Sequence, residues 1–179
     1  MTDVRDPSHG TGRGPVLLAC WRAEWPEDAA REAESLRRVA AGRLVAVEHI
    51  GSTAVPGLVA KPIVDLLGGV ARLADADACI RAFAGLGYAY APEHEREIPE
   101  RRYFRRSTGV VRTHHLHVVV HGGDFWRRHV RFRDALRADP QLADAYATLK
   151  RDLAARCGDD HAAYTSGKAS FVERVLAGA

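Results

Sequence analysis

Two stretches of the sequence place polar side chains inside apolar runs, where a core strand ordinarily carries none. In the first, residues 47–67 (VEHIGSTAVPGLVAKPIVDLL), Asp65 interrupts the apolar run that follows a loop rich in Gly, Ser, Thr and Pro. Because an ionised carboxylate is costly to bury unless it is paired, hydrogen-bonded or bound to metal, Asp65 is a functional candidate. The alternative is an Asp at the exposed end of a strand, or one that accepts backbone N–H bonds.

The loop that precedes Asp65 suits a phosphate group. Gly51 permits a close approach of the backbone, and Ser52 and Thr53 add hydroxyl groups, a combination that can hold a phosphate through main-chain N–H groups. Lys61 adds a cation at the end of the loop. A tight connection made of turn residues has the same composition, so both interpretations stay open.

The second stretch, residues 112–121 (RTHHLHVVVH), contains four of the nine histidines. Alternation along a strand places His115 and His117 on the same face. Two imidazoles at positions i and i+2 can share a metal ion or hold a phosphate. One histidine on a half-exposed sheet is commonly structural, whereas two side by side favour a site.

Lysine is rare in this chain, where arginine supplies most of the 26 basic residues and the lysines are Lys61, Lys150 and Lys168. Arginine cannot replace lysine where a compact ammonium is required, although coding bias could leave a few lysines at random. We predict that these three amines contact phosphate. Lys168 falls on the apolar face of a predicted helix, where its amine either reaches the helix edge or points into a cavity.

Composition indicates a globular protein with one domain. The chain has 179 residues, 46% hydrophobic and 27% charged, and we predict a flexible tail over residues 1–15 and a single domain over residues 16–179. No apolar run is long enough to cross a membrane, and we expect no secretory signal, because residues 1–14 lack a basic segment followed by an apolar one. Three cysteines, far apart in sequence, fit no disulfide framework, so we expect a cytoplasmic protein.

The net charge of +3 is small for this length, and we do not expect nucleic acid as a partner. The segment RRYFRR, residues 101–106, is the strongest argument for RNA binding. Alternation places Arg102, Phe104 and Arg106 on one face, and Arg101, Tyr103 and Arg105 on the other. Neither face is a purely basic surface.

Hydrophobic periodicity and turn residues predict a mixed αβ sheet followed by a helical C-terminal third. The short loop between the first two strands predicts that they lie close in the sheet, and the last two strands form a hairpin. Predicted helices cover residues 25–42, 74–87, 124–138, 139–158 and 159–178, and predicted strands cover residues 43–50, 61–70, 88–91, 101–107 and 112–120.

These segments together resemble the GrpB family over about residues 20–175. The resemblance rests on five motifs in the family's order: Glu48 to Asp65 (EHIGST.VPGL..KP..D), His115 to His117 (HLH), Phe132 to Arg137 (FRD.LR), Tyr146 to Lys150 (Y..LK) and Tyr164 to Phe171 (Y..GK..F). All three lysines lie within these motifs.

The resemblance implies an α+β fold of the nucleotidyltransferase-like class. In that fold a Gly-Ser loop binds a nucleoside triphosphate, here Gly51 and Ser52, and acidic residues on the next strand hold Mg²⁺, here Asp65. Active transferases carry a second carboxylate two residues later, where this chain has Leu67. A two-Mg²⁺ site needs more oxygen ligands than Asp65 alone supplies.

Two hypotheses about function follow from the resemblance. The first is a metal-dependent nucleotidyl- or phosphoryl-transfer enzyme, in which Asp65 and His117 are catalytic and hold one Mg²⁺, Mn²⁺ or Zn²⁺ ion. Without a metal, His115 and His117 would contact the phosphate directly. The second is a catalytically inactive relative that senses a nucleotide or binds a partner protein. Both predict that the ligand is a nucleotide or another phosphate-bearing small molecule.

Overall fold

The computed structural model describes residues 14–178, so the predicted tail lies outside the described residues except for its last two positions. The α+β class and the helical C-terminal third predicted from the sequence are confirmed. The secondary structure comprises α1 (Glu24–Val39), β1 (Leu44–Ile50), β2 (Val64–Val70), α2 (Leu73–Ala84), β3 (Tyr88–Tyr90), β4 (Arg101–Thr108), β5 (Val111–Val120), α3 (Asp124–Ala138), α4 (Pro140–Cys157), α5 (His161–Ser166) and α6 (Ala169–Gly178).

The five strands form one mixed sheet in the order β1-β2-β5-β4-β3. β1 pairs antiparallel with β2, as the short loop between them predicts, and β4 and β5 form the predicted hairpin. β2 and β5 are parallel neighbours, with Asp65 opposite His115. Tyr103 of β4 lies opposite His117. This register places polar side chains of three strands on the same face.

The other face of the sheet packs against α1 and α2. Leu66, Phe104 and Leu116 from the three central strands are fully buried there, together with Leu36 of α1 and Phe83 of α2. This apolar layer is the main core of the protein. It fixes the strands, and therefore the positions of the alternate side chains that point away from it.

The C-terminal helices pack beside the polar face. Asp139 caps α4 by accepting hydrogen bonds from the N–H groups of Gln141 and Leu142, and Pro140 follows as the first helical residue, as predicted. Tyr146 of α4 packs with Phe171 of α6 in a second apolar cluster. None of the helices in residues 14–178 is long and apolar enough to cross a membrane.

The prediction of one continuous helix over residues 159–178 is wrong. The chain turns at Gly167 and Lys168, which separate α5 from α6. A Cβ atom added at Gly167 would lie 2.5 Å from Cδ2 of Leu153, so glycine permits α5 to approach α4 closely at this turn. Lys168 consequently lies in a turn between two helices and not on the face of a single helix.

Candidate functional site

The polar face of the sheet, the loop before β2 and helices α3 to α6 line a cavity of about 650 Å³. The side chains predicted to form a site converge there from four separate parts of the sequence. All nine line the cavity: Gly51, Ser52, Thr53, Lys61, Asp65, His115, His117, Lys150 and Lys168.

Asp65 lies at the centre of this group, with 27% of its side chain exposed. Its Oδ1 atom is 2.9 Å from Nδ1 of His115 on the neighbouring strand. Burial acts to raise the pKa of Asp65, but the hydrogen bond from His115 and the electrostatic attraction of that ring outweigh it, so this pKa lies below its usual value. Asp65 is therefore an anion in a cavity in which cationic side chains outnumber carboxylates.

Gly51 connects the loop to Asp65. Its φ of +71° is in the region that favours glycine. A Cβ atom added to Gly51 would lie 2.4 Å from Oδ2 of Asp65, so the carboxylate packs directly against the loop backbone. Glycine is therefore required at position 51, as predicted from close approach to the backbone. The group that approaches the backbone is the carboxylate of Asp65 and not a bound phosphate.

The two hydroxyl residues of the loop have different roles. Thr53 is 1% exposed, and its hydroxyl donates to the carbonyl oxygen of Ile63 and lies 2.9 Å from Nε2 of His49. Burial lowers the pKa of His49 to about 4, so this ring is neutral near pH 7. The buried hydrogen bonds of Thr53 thus hold the loop in its conformation. Ser52, which is half-buried, presents its hydroxyl to the cavity.

Lys150 reaches the same loop from α4. Although 1% exposed, it donates hydrogen bonds to Oγ of Ser52, at 2.9 Å, and to the carbonyl oxygen of Val59. Its Nζ lies 4.9 Å from the ring centroid of Tyr146. Burial, with a smaller contribution from Lys168, lowers the pKa of Lys150 to about 7.

Lys61 and Lys168 meet at the ring of Tyr164. Their Nζ atoms lie 4.8 Å and 4.5 Å from its centroid. Nζ of Lys61 also lies 2.9 Å from Nδ1 of His161. Burial, and to a lesser extent the charge of Lys61, lowers the pKa of Lys168 to about 8. We call Lys61, Lys150 and Lys168 the lysine cluster, because all three amines line the same cavity.

Sequence reasoning did not assign several residues that line the cavity over β4, β5 and α3. Tyr103 and His117 have ring centroids 5.0 Å apart, and His129 of α3 stacks beyond His117 at 6.4 Å. Burial lowers the pKa of both histidines, so these rings are neutral near pH 7. Alternation placed Arg101 and Tyr103 on one face of β4, but only the register with β5 shows that His117 shares that face.

The residues present do not fit a pair of metal ions. Leu67, at the position of the second carboxylate, is fully buried against Ile50, Val119 and Trp126. Among residues 14–178, no group of three or more His, Cys, Asp or Glu side chains could hold a metal ion. A single ion would have Asp65 and His117 as protein ligands and would need oxygen atoms of the bound ligand or water to complete its coordination.

The five-stranded mixed sheet and its flanking helices define an α+β fold. Its fold is similar to that of Cid1 in complex with its short product ApU, with a TM-score of 0.50 and 11% identity over 74% of this chain and 42% of that chain. The chain belongs to the GrpB family: the family model described as GrpB protein matches residues 15–177. The family resemblance seen in the sequence is thus confirmed.

Relatives and a solved structure agree with this family. The glutamate-rich protein GrpB of Alkalihalophilus pseudofirmus is 32% identical over 93% of this chain and 97% of its own length. The UPF0157 protein YqkA of Bacillus subtilis is 37% identical over 88% of this chain, which spans only 45% of YqkA. The crystal structure of the conserved protein GrpB from Enterococcus faecalis has a TM-score of 0.80 and 34% identity, covering 89% of this chain and 94% of that chain.

Proposed function

We propose that this protein binds a nucleotide, or another phosphate-bearing small molecule, in the cavity above the polar face of the sheet. The observation that carries the proposal is the lysine cluster: the three lysines of a chain that otherwise uses arginine line one cavity beside the Gly51–Ser52 loop. The similarity of the fold to Cid1 in complex with its product ApU supports a nucleotide as the ligand class.

The electrostatics of the cavity favour a polyanion. Five cationic side chains line it, against the carboxylates of Asp65 and Glu173, and Glu173 already pairs with Arg128. The amines of Lys150 and Lys168 have lowered pKa values because each is buried near another cation. A bound phosphate chain would offset this repulsion and hold both amines in their charged form.

Ser52 orients the ligand through a hydrogen bond. Its oxygen accepts a hydrogen bond from Lys150, so the hydroxyl proton remains available to donate to a phosphate oxygen. His115, held by Asp65 through Nδ1, leaves its Nε2 as a second polar group at the cavity wall. Lysines neutralise the charge of the ligand, while Ser52 fixes its orientation. Because Nδ1–H of His115 bonds to Asp65, Nε2 of the neutral ring is an acceptor and does not bond to a phosphate oxygen.

Transfer of a nucleotidyl or phosphoryl group is the second candidate function, and the ionised carboxylate of Asp65 favours it. Asp65 and His117 would hold one Mg²⁺, Mn²⁺ or Zn²⁺ ion, which when bound would neutralise phosphate charge. The leucine at position 67 argues for binding without transfer, as in a catalytically inactive member that senses a nucleotide or binds a partner protein. Metal dependence separates these two roles.

The test is isothermal titration calorimetry with tripolyphosphate and the four nucleoside triphosphates, in EDTA and in each of the three metal ions. We expect binding in EDTA that weakens about tenfold in Lys61→Gln, because one charge-assisted contact is lost. Arg156→Gln is the matched control, since Arg156 is an exposed cation of α4 outside the cavity.

The metal ions decide between the two roles. If Mg²⁺, Mn²⁺ or Zn²⁺ tightens nucleotide binding to the wild type but not to Asp65→Asn, the metal-dependent enzyme is supported. Equal effects of the metal on both proteins would remove Asp65 from the metal site. A wild type that binds neither tripolyphosphate nor any nucleotide would overturn the proposed function.

A further inference from the structure

Arg101, at the start of β4, has no carboxylate within ion-pair distance among residues 14–178, although it lines the cavity. Its Nε atom is buried and has no hydrogen-bond partner there. The other arginines of β4 each pair with a carboxylate: Arg102 with Asp77, Arg105 with Glu93, and Arg106 with Glu32. Arg101 is thus the arginine of this strand that remains available to an external anion.

Rings and neutral imidazoles surround this guanidinium. Its Cζ atom lies 4.9 Å from the ring centroid of Tyr103 and 5.8 Å from that of Phe125. Nη1 lies 3.4 Å from Nδ1 of His117. The imidazole of His117 offers this guanidinium no negative charge. Arg101 is therefore the charged group in a part of the cavity that is lined by planar rings.

Glu97 and Glu100 attract the charge of Arg101 from beyond ion-pair distance, and desolvation by burial outweighs them. Partial burial removes water from a charged group, and the cost is compensated only by an opposite charge or by hydrogen bonds. The planar fork of arginine matches the two oxygen atoms of a carboxylate or of a phosphate. The geometry around Arg101 accordingly favours an oxyanion that lies between flat side chains.

Arg101 and the lysine cluster contact different parts of the cavity: Arg101 lies beside Tyr103 and His117, and two of the lysines lie at Tyr164. Arg101 is on β4 and Asp65, around which the lysines gather, is on β2, with β5 between them. Neighbouring strands are about 4.8 Å apart, so the backbones of Arg101 and Asp65 are about 10 Å apart across the sheet. The register separates them further along the strands, because Asp65 pairs with His115 and Arg101 pairs with Val119, four residues later in β5. A cavity of about 650 Å³ has room for two ligands, or for two parts of one ligand.

We infer that Arg101 binds the acid group, a carboxylate or a phosphate, of a second compound that occupies the cavity together with the phosphate ligand of the lysine cluster. This inference rests on the proposed function, and it names the chemical class of the second compound. In a transfer reaction that compound is the acceptor, so the acceptor is an acidic molecule. In a sensor, the second compound is a second ligand that the protein detects.

The test uses the full chain saturated with tripolyphosphate, which occupies the lysine cluster. Phenyl phosphate and benzoate are then titrated separately, and the Nε–H signal of Arg101 is followed by proton–nitrogen NMR. We expect the signal to shift and saturate with at least one of these probes, and the tighter probe identifies the acid group. In Arg101→Gln the affinity for that probe falls at least about tenfold, while the tripolyphosphate affinity changes less than about twofold.

Two further variants control for charge and for folding. Arg105→Gln removes an arginine of the same strand that pairs with Glu93 and does not line the cavity, and it leaves the probe affinity unchanged. Arg101→Lys keeps the charge but lacks the fork, and it binds with intermediate affinity. Melting temperatures of all variants within a few degrees of the wild type show that the fold is retained.

The experiment distinguishes failure of the proposed function from failure of the second subsite. A wild type that does not bind tripolyphosphate overturns the proposed function. A wild type that binds tripolyphosphate but shows no response of Arg101 to either probe overturns only the second subsite. An Arg101→Gln variant that loses tripolyphosphate and probe equally places Arg101 in the phosphate site itself, and this also overturns the second subsite.

Discussion

The two faces of the sheet are built from the same strands and serve different purposes. Towards α1 and α2, Leu66, Phe104 and Leu116 are all fully buried among apolar side chains. On the other face, Asp65 and His115 line an open cavity. Successive residues along a strand therefore alternate between the core and the cavity.

This contrast shows how the protein holds a cluster of charges in place. The apolar face supplies the burial that stabilises the strands, which leaves the alternate positions free to carry groups that are costly to bury. The division is not complete, because Leu67 and Val119 lie on the cavity side and are buried against Trp126. The polar site therefore covers only the part of that face that the C-terminal helices leave open.

Substitution of two neighbouring residues of β4 should give the largest difference in stability between the two faces of the sheet. Phe104→Ala should lower the free energy of unfolding by about 3–5 kcal/mol, because the ring is fully buried between Phe83 and Tyr90. Tyr103→Ala should cost about 1 kcal/mol, since Tyr103 lines the cavity and is only partly buried. Urea denaturation measures both. Equal losses would mean that the cavity face stabilises the fold as much as the core does.

Much of the fold was predictable because both of its periodicities are visible in the sequence. The apolar stripe of α1, with Ala29, Ala33 and Leu36 buried, and the alternation along β4 both appear in the structure as predicted. The break between α5 and α6 was not predictable, because Gly167 is compatible with a helix, and only its close approach to Leu153 of α4 requires a glycine there. That contact joins residues distant in sequence.

The candidate site was predictable only where a residue type conflicts with its surroundings. Asp65 within an apolar strand and lysines in a chain rich in arginine both stand out in the sequence. Arg101 and His129 do not, because arginine and histidine are common here and nothing local distinguishes a paired side chain from an unpaired one. Their place in the cavity depends on the pairing of β4 with β5 and on the packing of α3.

The buried amine of Lys150 gives the next largest effect, as a dependence of stability on pH. Its pKa is about 7 in the folded protein and about 10.4 in the unfolded chain, so between these values the unfolded chain binds more protons. The free energy of unfolding without ligand should therefore rise from pH 7 to pH 10, by roughly 2–4 kcal/mol from this group.

Lys150→Met is the matched variant for this pH dependence, since it keeps the aliphatic stem and removes the titrating amine. Urea denaturation at several pH values should show a flatter profile for the variant than for the wild type. Identical profiles would contradict the lowered pKa, and with it the view that this amine is held in place for an anion.

Lys168 gives the smallest expected effect, and this effect concerns binding. Lys168→Gln should weaken tripolyphosphate binding about tenfold at pH 7, where the amine is charged. The pKa of Lys168 is about 8 without ligand, so near pH 9.5 the free amine is mostly neutral and must take up a proton when the anion binds. Wild-type affinity should then fall with pH, and the difference between wild type and variant should narrow.

Calorimetry in buffers of different ionisation enthalpy measures the proton uptake directly. The wild type should take up more protons per bound tripolyphosphate at pH 8 than Lys168→Gln, while Arg156→Gln should match the wild type, because that exposed arginine stays charged throughout. Equal uptake in all three proteins would place the bound anion away from Lys168. The lowered pKa would then reflect only the burial of Lys168 and the nearby charge of Lys61, without a role for this amine in binding.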